Sequence, residues 1–228
     1  MKYKLKIQYF GGRGQSLIPS GKATKVKPPK LDPNATLEEV LGKKGNSIST
    51  SVVEEEVNPN YNGTADKWGV NCQRCAFTNE FERRGYNVTA LPNTGSMPFY
   101  STQKGIEDVL GRKFIDVGGP NESNTEYNIE SIFSKYGVGS RGFIIMSWKG
   151  SGAHIFNIEQ TKAGTVFIDS QIHKTVDIRK TLSRAKLNSV KVVRTDDIPT
   201  SSFNPAHLKN IMKKSDKNLN HNNWKKDI

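Results

Sequence analysis

The chain has 228 residues, of which 34% are apolar, and its formal net charge is +12. This length suits one domain with appendages or two small domains, and a core of about 150 residues would bury enough surface to fold by itself. No run of about 18 apolar residues is present, and the first ten residues lack the continuous apolar segment of a secretory signal, so neither a membrane span nor a signal peptide is predicted. We therefore expect a protein that is cytoplasmic when made, and that is virion-associated or exported by a non-classical route if it leaves the cell.

The positive charge is concentrated at the two ends of the chain. Residues 1–50 hold 10 basic and 3 acidic residues, a net charge of +7, and residues 206–228 hold 6 and 2, a net charge of +4. Residues 51–205 hold 18 and 17, so they are nearly neutral. A groove that binds duplex should carry its positive patch on the fold itself. We interpret the ends as solvated basic tails, whose contact with nucleic acid would be weak and salt-sensitive.

Residues 1–51 are predicted to form a basic N-terminal peptide and a flexible linker. Residues 2–10 alternate like a strand, the segment that follows is rich in Lys, Pro, Ser and Gly, and one short helix is predicted over residues 36–41. Residues 5–14 read Leu-Lys-Ile-Gln-Tyr-Phe-Gly-Gly-Arg-Gly. This opening resembles the start of small proteins encoded in phage head-gene clusters, which implies a docking or packaging peptide. A frayed basic terminus is the alternative.

Residues 52–205 are predicted to form the folded domain, and residues 206–228 a basic C-terminal tail. Helical spacing and capping signals predict helices over residues 72–84, 104–110, 126–136 and 176–185. Alternating or continuous apolar runs predict strands over residues 86–91, 143–148, 154–159, 165–169 and 190–194. Helices come first and an antiparallel sheet follows, which is typical of the α+β class.

The segment Trp68-Gly-Val-Asn-Cys-Gln-Arg-Cys-Ala-Phe-Thr-Asn-Glu-Phe-Glu-Arg-Arg-Gly85 predicts a turn and then a helix that begins at Cys72. Asn71 is a favoured N-cap residue, and the final glycine follows two arginines that suit the C-terminal end of a helix. A helix N-terminus favours a thiolate and offers free N–H groups to an oxyanion. Cys72 is therefore the candidate nucleophile, whereas Cys75 lies one turn further along and is predicted to face the core.

The two cysteines have other interpretations. They could fill the core, because free cysteine often behaves as a small buried hydrophobe. A zinc site is disfavoured because the chain has no further cysteine to complete it. A thioredoxin-like redox pair is disfavoured because no βαβ pattern surrounds the motif. No metal ion and no other cofactor is predicted.

The predicted hairpin over residues 154–169 supplies a base and an acid. With a four-residue loop, His154 lies directly opposite Asp169, whose carboxylate would orient the imidazole as a base toward Cys72. With a tip slightly further along the chain, His154 would pair with His173 instead. The first register favours an enzyme, and the second offers no evident chemistry.

Four further positions support this site. Gln171 lies on the same strand face as Asp169, and we assign Asn71 and Gln171 to support of the site or of its oxyanion. An ordinary polar residue at the end of a strand is the alternative for Gln171. The segment Lys149-Gly-Ser-Gly-Ala153 is predicted to be a flexible loop that closes over the substrate, with Trp148 at its base. A plain connection between strands is the alternative for this loop.

Five segments of residues 52–200 follow one family pattern when they are taken together. They are Asn58-Pro-Asn-Tyr61, Asn71-Cys-Gln-Arg-Cys75, Arg83-Arg-Gly-Tyr-Asn-Val88, Gly152-Ala-His-Ile-Phe-Asn157 and Val166-Phe-Ile-Asp-Ser-Gln171. They resemble the papain-fold toxin domain of bacterial polymorphic toxin systems, whose relatives include glutamine deamidases used as effectors. The resemblance implies a papain-like fold in which an N-terminal helix with the cysteine packs on an antiparallel sheet with the histidine and the acid. The chain departs from the pattern at Ser170, where the family often has proline.

By position, the resemblance implies Cys72 as nucleophile, His154 as base and Asp169 as the orienting acid. The implied reaction is attack on the side-chain carboxamide of a protein glutamine, loss of ammonia, and hydrolysis of the thioester to glutamate. The implied partners are a protein substrate, an immunity protein and, for a phage-encoded protein, virion components.

The leading hypothesis is therefore a cysteine-dependent amidohydrolase, namely a protein-glutamine deamidase that acts as a toxin or effector. Two alternatives stay open. The same fold and residues would serve a papain-like peptidase or isopeptidase. The chain could also be a catalytically inert virion or packaging protein whose basic ends bind nucleic acid.

Overall fold

The structure is a computed structural model that describes residues 26–46 and 56–216. Its α-helices are α1 (Leu37–Leu41), α2 (Cys72–Arg83), α3 (Gln103–Leu110), α4 (Glu122–Tyr136), α5 (Ile178–Leu182) and α6 (Pro205–Leu208). Its strands are β1 (Val88–Ala90), β2 (Ile115–Asp116), β3 (Arg141–Ser147), β4 (Ala153–Thr161), β5 (Gly164–Asp169), β6 (Lys174–Thr175), β7 (Lys191–Arg194) and β8 (Met212–Lys214). The predicted strand over residues 2–10 and the phage-like peptide lie outside the described residues.

A six-stranded antiparallel sheet with the strand order β2-β7-β3-β4-β5-β6 forms the centre of the domain. The pair β3–β4 is in register from Arg141 opposite Glu159 to Ser147 opposite Ala153. Strands β1 and β8 form a separate two-stranded antiparallel sheet. Helices therefore combine with antiparallel sheets, which confirms the predicted α+β class.

Both faces of the central sheet are buried under helices. Phe143 and Ile145 of β3 pack in the core that includes α2 and α3, whereas Ile144 and Met146 pack in the core that includes α4 and α5. Successive side chains of a strand point to opposite faces, so a strand that is covered on both sides needs apolar residues at nearly every position. This explains the continuous apolar run from which β3 was predicted.

The structured region extends beyond both predicted boundaries of the domain. In the predicted linker, α1 buries Val40 and Leu41. In the predicted tail, Leu208 and Met212 are buried, and β8 pairs with β1. The prediction of a solvated tail from residue 206 onward is therefore wrong as far as residue 216, because a few apolar side chains among the lysines complete the core beside α2.

Element ends differ from the predictions where a side chain caps a helix. Helix α4 begins at Glu122 rather than 126, because the side chain of Asn121 accepts a hydrogen bond from the N–H of Asn124. Helix α5 is shorter than predicted and begins after Asp177, whose side chain accepts from the N–H of Lys180. The order and type of the predicted elements are otherwise as expected.

The β4–β5 hairpin turns through two residues, with Thr161 opposite Gly164. The Thr161 hydroxyl donates to the backbone oxygen of Gly164 at 2.8 Å, and the glycine has φ 124°, a conformation that side chains disfavour. Both predicted registers are therefore wrong, because the pairing lies midway between them. Neither Asp169 nor His173 is directly opposite His154. A shift of two residues preserves the face that each side chain occupies.

A buried charge network attaches α2 to the sheet. Glu80 accepts hydrogen bonds from Arg84 Nε at 2.8 Å and from Arg141 Nε and Nη2 at 3.0 Å. Arg84 also donates to the backbone oxygens of Thr195 and Ile198 at 2.7 Å. Glu80 thus joins α2 to the start of β3 through Arg141. Arg84, which Glu80 holds, joins α2 to the segment after β7.

We predict that Glu80→Gln lowers the free energy of unfolding by about 3 kcal/mol, because it removes the negative charge that two largely buried guanidinium groups share. Denaturant unfolding at an unchanged m-value measures this loss. Glu39→Gln is the matched control, since Glu39 pairs with Lys209 at the exposed surface and should leave the stability nearly unchanged. Equal losses in the two variants would contradict the role given to Glu80.

Candidate active site

Cys72 occupies the first helical position of α2, and Asn71 occupies the N-cap position. The side chain of Asn71 makes no capping hydrogen bond, so the prediction of a side-chain cap is wrong. Its amide oxygen instead accepts from the Cys75 thiol at 3.3 Å and from Gln171 Nε2 at 3.4 Å. The N–H of Arg74 donates to the backbone oxygen of Asn71 at 2.8 Å, so an anion at the start of α2 would meet the N–H groups of Cys72 and Gln73.

Asn58, which has no predicted role, holds the loop before α2 against the end of β5. Its Nδ2 donates to the backbone oxygens of Gln171 at 2.9 Å and of Trp68 at 3.0 Å. Asn71 Nδ2 donates in return to Asn58 Oδ1 at 3.2 Å. These asparagines are fully buried, and an amide with two donors and an acceptor can join several segments at once. The turn sequence at Asn58 predicts a loop, but it does not predict that this residue binds Gln171, in the turn after β5.

Gln171 lies between the predicted acid and the helix that carries the cysteine. Its N–H donates to Asp169 Oδ1 at 3.1 Å, and its side chain donates to Asn71. Gln171 is buried. Gln171 thus contacts Asp169 through its backbone and Asn71 through its side chain. Both contacts agree with a role in supporting the site.

His154 Nε2 and Asp169 Oδ2 lie 2.6 Å apart and form a hydrogen bond. The β4–β5 ladder ends at Asn157 opposite Ile168, so both residues lie beyond its last pair. They share a sheet face as diagonal neighbours, a distance that long side chains can bridge. The contact is therefore present although the register used to predict it is wrong. His154 is 7% exposed and Asp169 is 5% exposed, so this bond is shielded from water.

The Cys72 thiol, at the start of α2, is close enough to His154 to influence the pKa of its imidazole. Burial lowers the pKa of His154, but the charge of Asp169, the hydrogen bond to Asp169, and a hydrogen bond and charge from Cys72 raise it. The net effect places the pKa of His154 well above its ordinary value, which favours the protonated imidazole. Cys72 itself is 1% exposed. The three predicted residues thus lie in one buried group at the end of the sheet.

Cys75 is also buried, and it packs with Val57 and Ala90. Burial, followed by the charges of Cys72 and Asp169, raises the pKa of the Cys75 thiol well above its ordinary value. A neutral thiol is a poor nucleophile. This environment makes Cys75 a poor candidate nucleophile and agrees with the prediction that it faces the core.

Arg74 places a buried positive charge near the start of α2. It is 3% exposed, and its Nε and Nη1 atoms have no hydrogen-bond partner within the described structure. Burial lowers the pKa of Arg74 to about 10, so it remains a cation at neutral pH. Its charge lowers the pKa of the neighbouring Cys75. The side chain adds to the positive potential of the helix N-terminus and favours an anion there.

A pocket of about 630 Å³ opens against His154 and Asp169. Trp148 forms part of its wall, and its indole stacks on the imidazole with ring centroids 5.8 Å apart and an angle of 25° between the planes. Residues 61–69 contribute a further part of the wall. This volume lies in the range of pockets for small molecules and side chains. The buried Cys72 does not line the pocket.

The glycine-containing segment 149–153 joins β3 to β4 and does not line this pocket. It therefore matches the alternative interpretation, a plain strand connection.

Within residues 26–46 and 56–216, no group of three or more His, Cys, Asp or Glu side chains is arranged to hold a metal ion. No helix in these ranges is long and apolar enough to cross a membrane.

Comparison with known families gives a match to residues 70–174, whose model is described as papain fold toxin 1, glutamine deamidase. The matched region runs from the residues before α2 to the start of β6, so it includes the cysteine helix and the β4–β5 hairpin. Comparisons with curated proteins and with solved structures gave no match. The family match confirms the resemblance and covers four of the five sequence segments that carried it, all except residues 58–61. Residues 70–174 of this chain are therefore similar to the papain fold toxin family whose model is described as glutamine deamidase.

Proposed function

We propose that the protein is a cysteine-dependent amidohydrolase that deamidates a glutamine side chain of a target protein and acts as a toxin. The observation that carries the proposal is the buried 2.6 Å hydrogen bond between His154 and Asp169, next to Cys72 at the start of α2. The family description supports the carboxamide as the reacting group, and a toxin of this kind implies a protein substrate.

In the proposed first step, the Cys72 thiolate attacks the carboxamide carbon of the glutamine. The raised pKa of His154 supports a protonated imidazole that stabilises the thiolate as an ion pair. Negative charge then develops on the amide oxygen. The N–H groups of Cys72 and Gln73, at the positive end of the α2 dipole, would stabilise it.

In the second step, His154 donates its proton to the departing nitrogen, which leaves as ammonia, and a thioester remains on Cys72. A water molecule then attacks the thioester carbon while neutral His154 accepts its proton. Glutamate and the free thiol are released, so one amide and one water give one carboxylate and one ammonia. Asp169 holds the ring through Nε2, which leaves Nδ1 for the sulfur and the water.

Asn71 and Gln171 take positioning roles in this proposal. Asn71 Nδ2 is engaged by Asn58 Oδ1 and by the backbone oxygen of Leu91, both at 3.2 Å. Gln171 Nε2 is directed at Asn71. Because these donors are occupied, their contacts support alignment of α2 with the end of β5 and do not favour an oxyanion role.

We predict that Cys72→Ala lowers deamidase activity at least about a thousandfold, because no other group can form the thioester. Ammonia release from glutamine peptides and mass spectrometry of intact target protein measure it. Cys75→Ala is the matched control and should keep most of the activity. Undiminished activity in Cys72→Ala would remove the proposal. Cysteine-dependent cleavage of the target into fragments, without conversion of glutamine to glutamate, would favour a peptidase.

We predict that Asp169→Asn lowers kcat/KM by about 10²- to 10⁴-fold and moves the alkaline limb of its pH profile to lower pH. The charge of Asp169 raises the pKa of His154. Activity that needs the imidazolium is lost as pH rises through that pKa, and a lower pKa brings the loss to lower pH. The pH dependence of kcat/KM and NMR titration of the histidine measure the shift. An unchanged alkaline limb would contradict the assignment.

The same pKa makes a signed contribution to stability. His154 has a higher pKa in the folded protein than in the unfolded chain, so its contribution is fully present below the ordinary value of about 6.5 and is lost as pH rises through the folded value. Asp169→Asn should reduce this dependence. Denaturant unfolding over the same pH range measures it.

A further inference from the structure

We infer that the protein selects target glutamines that have acidic residues close by, and that a cationic wall of the active-site pocket binds these acidic residues. This inference rests on the proposed function, since it concerns the substrate of the same site. Lys174, Lys180 and Arg184 line the pocket that His154 and Asp169 also line. They come from β6, from α5 and from the turn after α5, so three segments that are close in sequence make one positive surface.

These three cations are exposed, and their charges are available to a partner. Within the described part of the chain, none of the three forms an ion pair with a carboxylate. Their neighbour Arg179 contrasts with them, because it pairs with Glu126 at 2.6 Å. The paired cation of this region therefore faces α4, and the three unpaired ones face the pocket.

The carboxylates of the pocket do not neutralise this wall. Asp169 is held by His154. Asp177 caps α5, and its Oδ1 accepts the backbone N–H of Lys180 at 2.9 Å. Asp169 is thus paired with the imidazole, and Asp177 is the one other carboxylate in the lining of this pocket, so three cations outnumber it. An anionic group of the substrate would meet a net positive surface at this wall.

Arg184 is positioned by aromatic stacking, unlike an ordinary surface arginine. Its guanidinium lies over the Trp148 ring at 5.3 Å, and that ring also stacks on the His154 imidazole at 5.8 Å. An extended peptide advances roughly 3.3 Å per residue. A carboxylate bound by Arg184 would therefore lie about two or three residues from the glutamine that reacts beside His154.

The remaining pocket wall favours a protein segment over a nucleic acid. Tyr61, Phe156, Ile172 and Val176 contribute aromatic and aliphatic surface beside the cations. Proteins that bind nucleic acid through phosphates use a longer cationic track, often about 6–10 contacts. Three cations beside an apolar surface suit one or two carboxylates on a peptide that also buries apolar groups.

Fluorescence anisotropy with the Cys72→Ala protein tests this binding without turnover. The probes are short labelled peptides with one central glutamine, flanked by glutamate, by serine or by lysine. At low salt we expect the glutamate-flanked peptide to bind about tenfold more tightly than the serine-flanked one, with the difference shrinking as salt is added. Lys180→Glu in the same background should remove about two- to fivefold of this preference.

Lys162→Glu is the matched control, because Lys162 lies at the exposed β4–β5 turn and the change in charge is the same. It should leave the preference unchanged. Equal affinity for the three peptides, or equal effects of the two charge reversals, would overturn the inference. A labelled single-stranded oligonucleotide that binds more tightly than the glutamate-flanked peptide, and that is released by Lys180→Glu, would also overturn it.

The proposed function is judged separately, by ammonia release from the serine-flanked peptide with Cys72 intact. Release without any charge preference would leave the deamidase proposal standing and remove the acidic-substrate inference. Selective binding of the glutamate-flanked peptide without ammonia release from any of the three peptides would support the preference for acidic neighbours and contradict the deamidase proposal.

Discussion

The hydrogen bond between His154 and Asp169 is the interaction on which the site depends. A carboxylate that is 5% exposed is costly unless it is paired, and the imidazole supplies the charge and the proton that compensate it. The same pairing raises the pKa of the imidazole, which favours the cationic state that the proposed mechanism uses beside the sulfur. One buried contact thus accounts for the burial of the acid, the protonation of the base and the orientation of its ring.

The rest of the fold delivers Cys72 to this pair. Helix α2 lies on one face of the sheet, where Asn157 Nδ2 donates to the Ala76 carbonyl at 3.0 Å and Glu80 binds two arginines. The pair itself lies past the last β4–β5 ladder position, where the start of α2 reaches it. Asn58 attaches the loop before α2 to the backbone of Gln171. Because these contacts join α2, β3, β4 and β5, the helix start is held against the end of the sheet.

Two positive regions of the described domain have different physical characters. Around the thiol, Arg74 and the start of α2 are buried, so their positive potential would act strongly on negative charge that develops in the proposed reaction. Around the pocket mouth, Lys174, Lys180 and Arg184 are exposed, so water and salt weaken their attraction. The first region suits chemistry and the second suits selection of a partner. The proposed deamidation of a protein glutamine would use both, because glutamine is common on protein surfaces and its carboxamide is unreactive.

The sequence alone determined the elements whose signals are local: the helix that begins at Cys72, the doubly buried strand β3, and the α+β class. It also identified His154 and Asp169 as partners, although the hairpin register behind that prediction was wrong by two residues. Tertiary structure decided what depends on distant residues. Asn58 meets Gln171 only after folding, and Met212 belongs to the core because β8 pairs with β1, in spite of the lysines around it. Local propensity and periodicity carry no information about such partners, since burial is set by contacts between segments that the chain separates by a hundred residues or more.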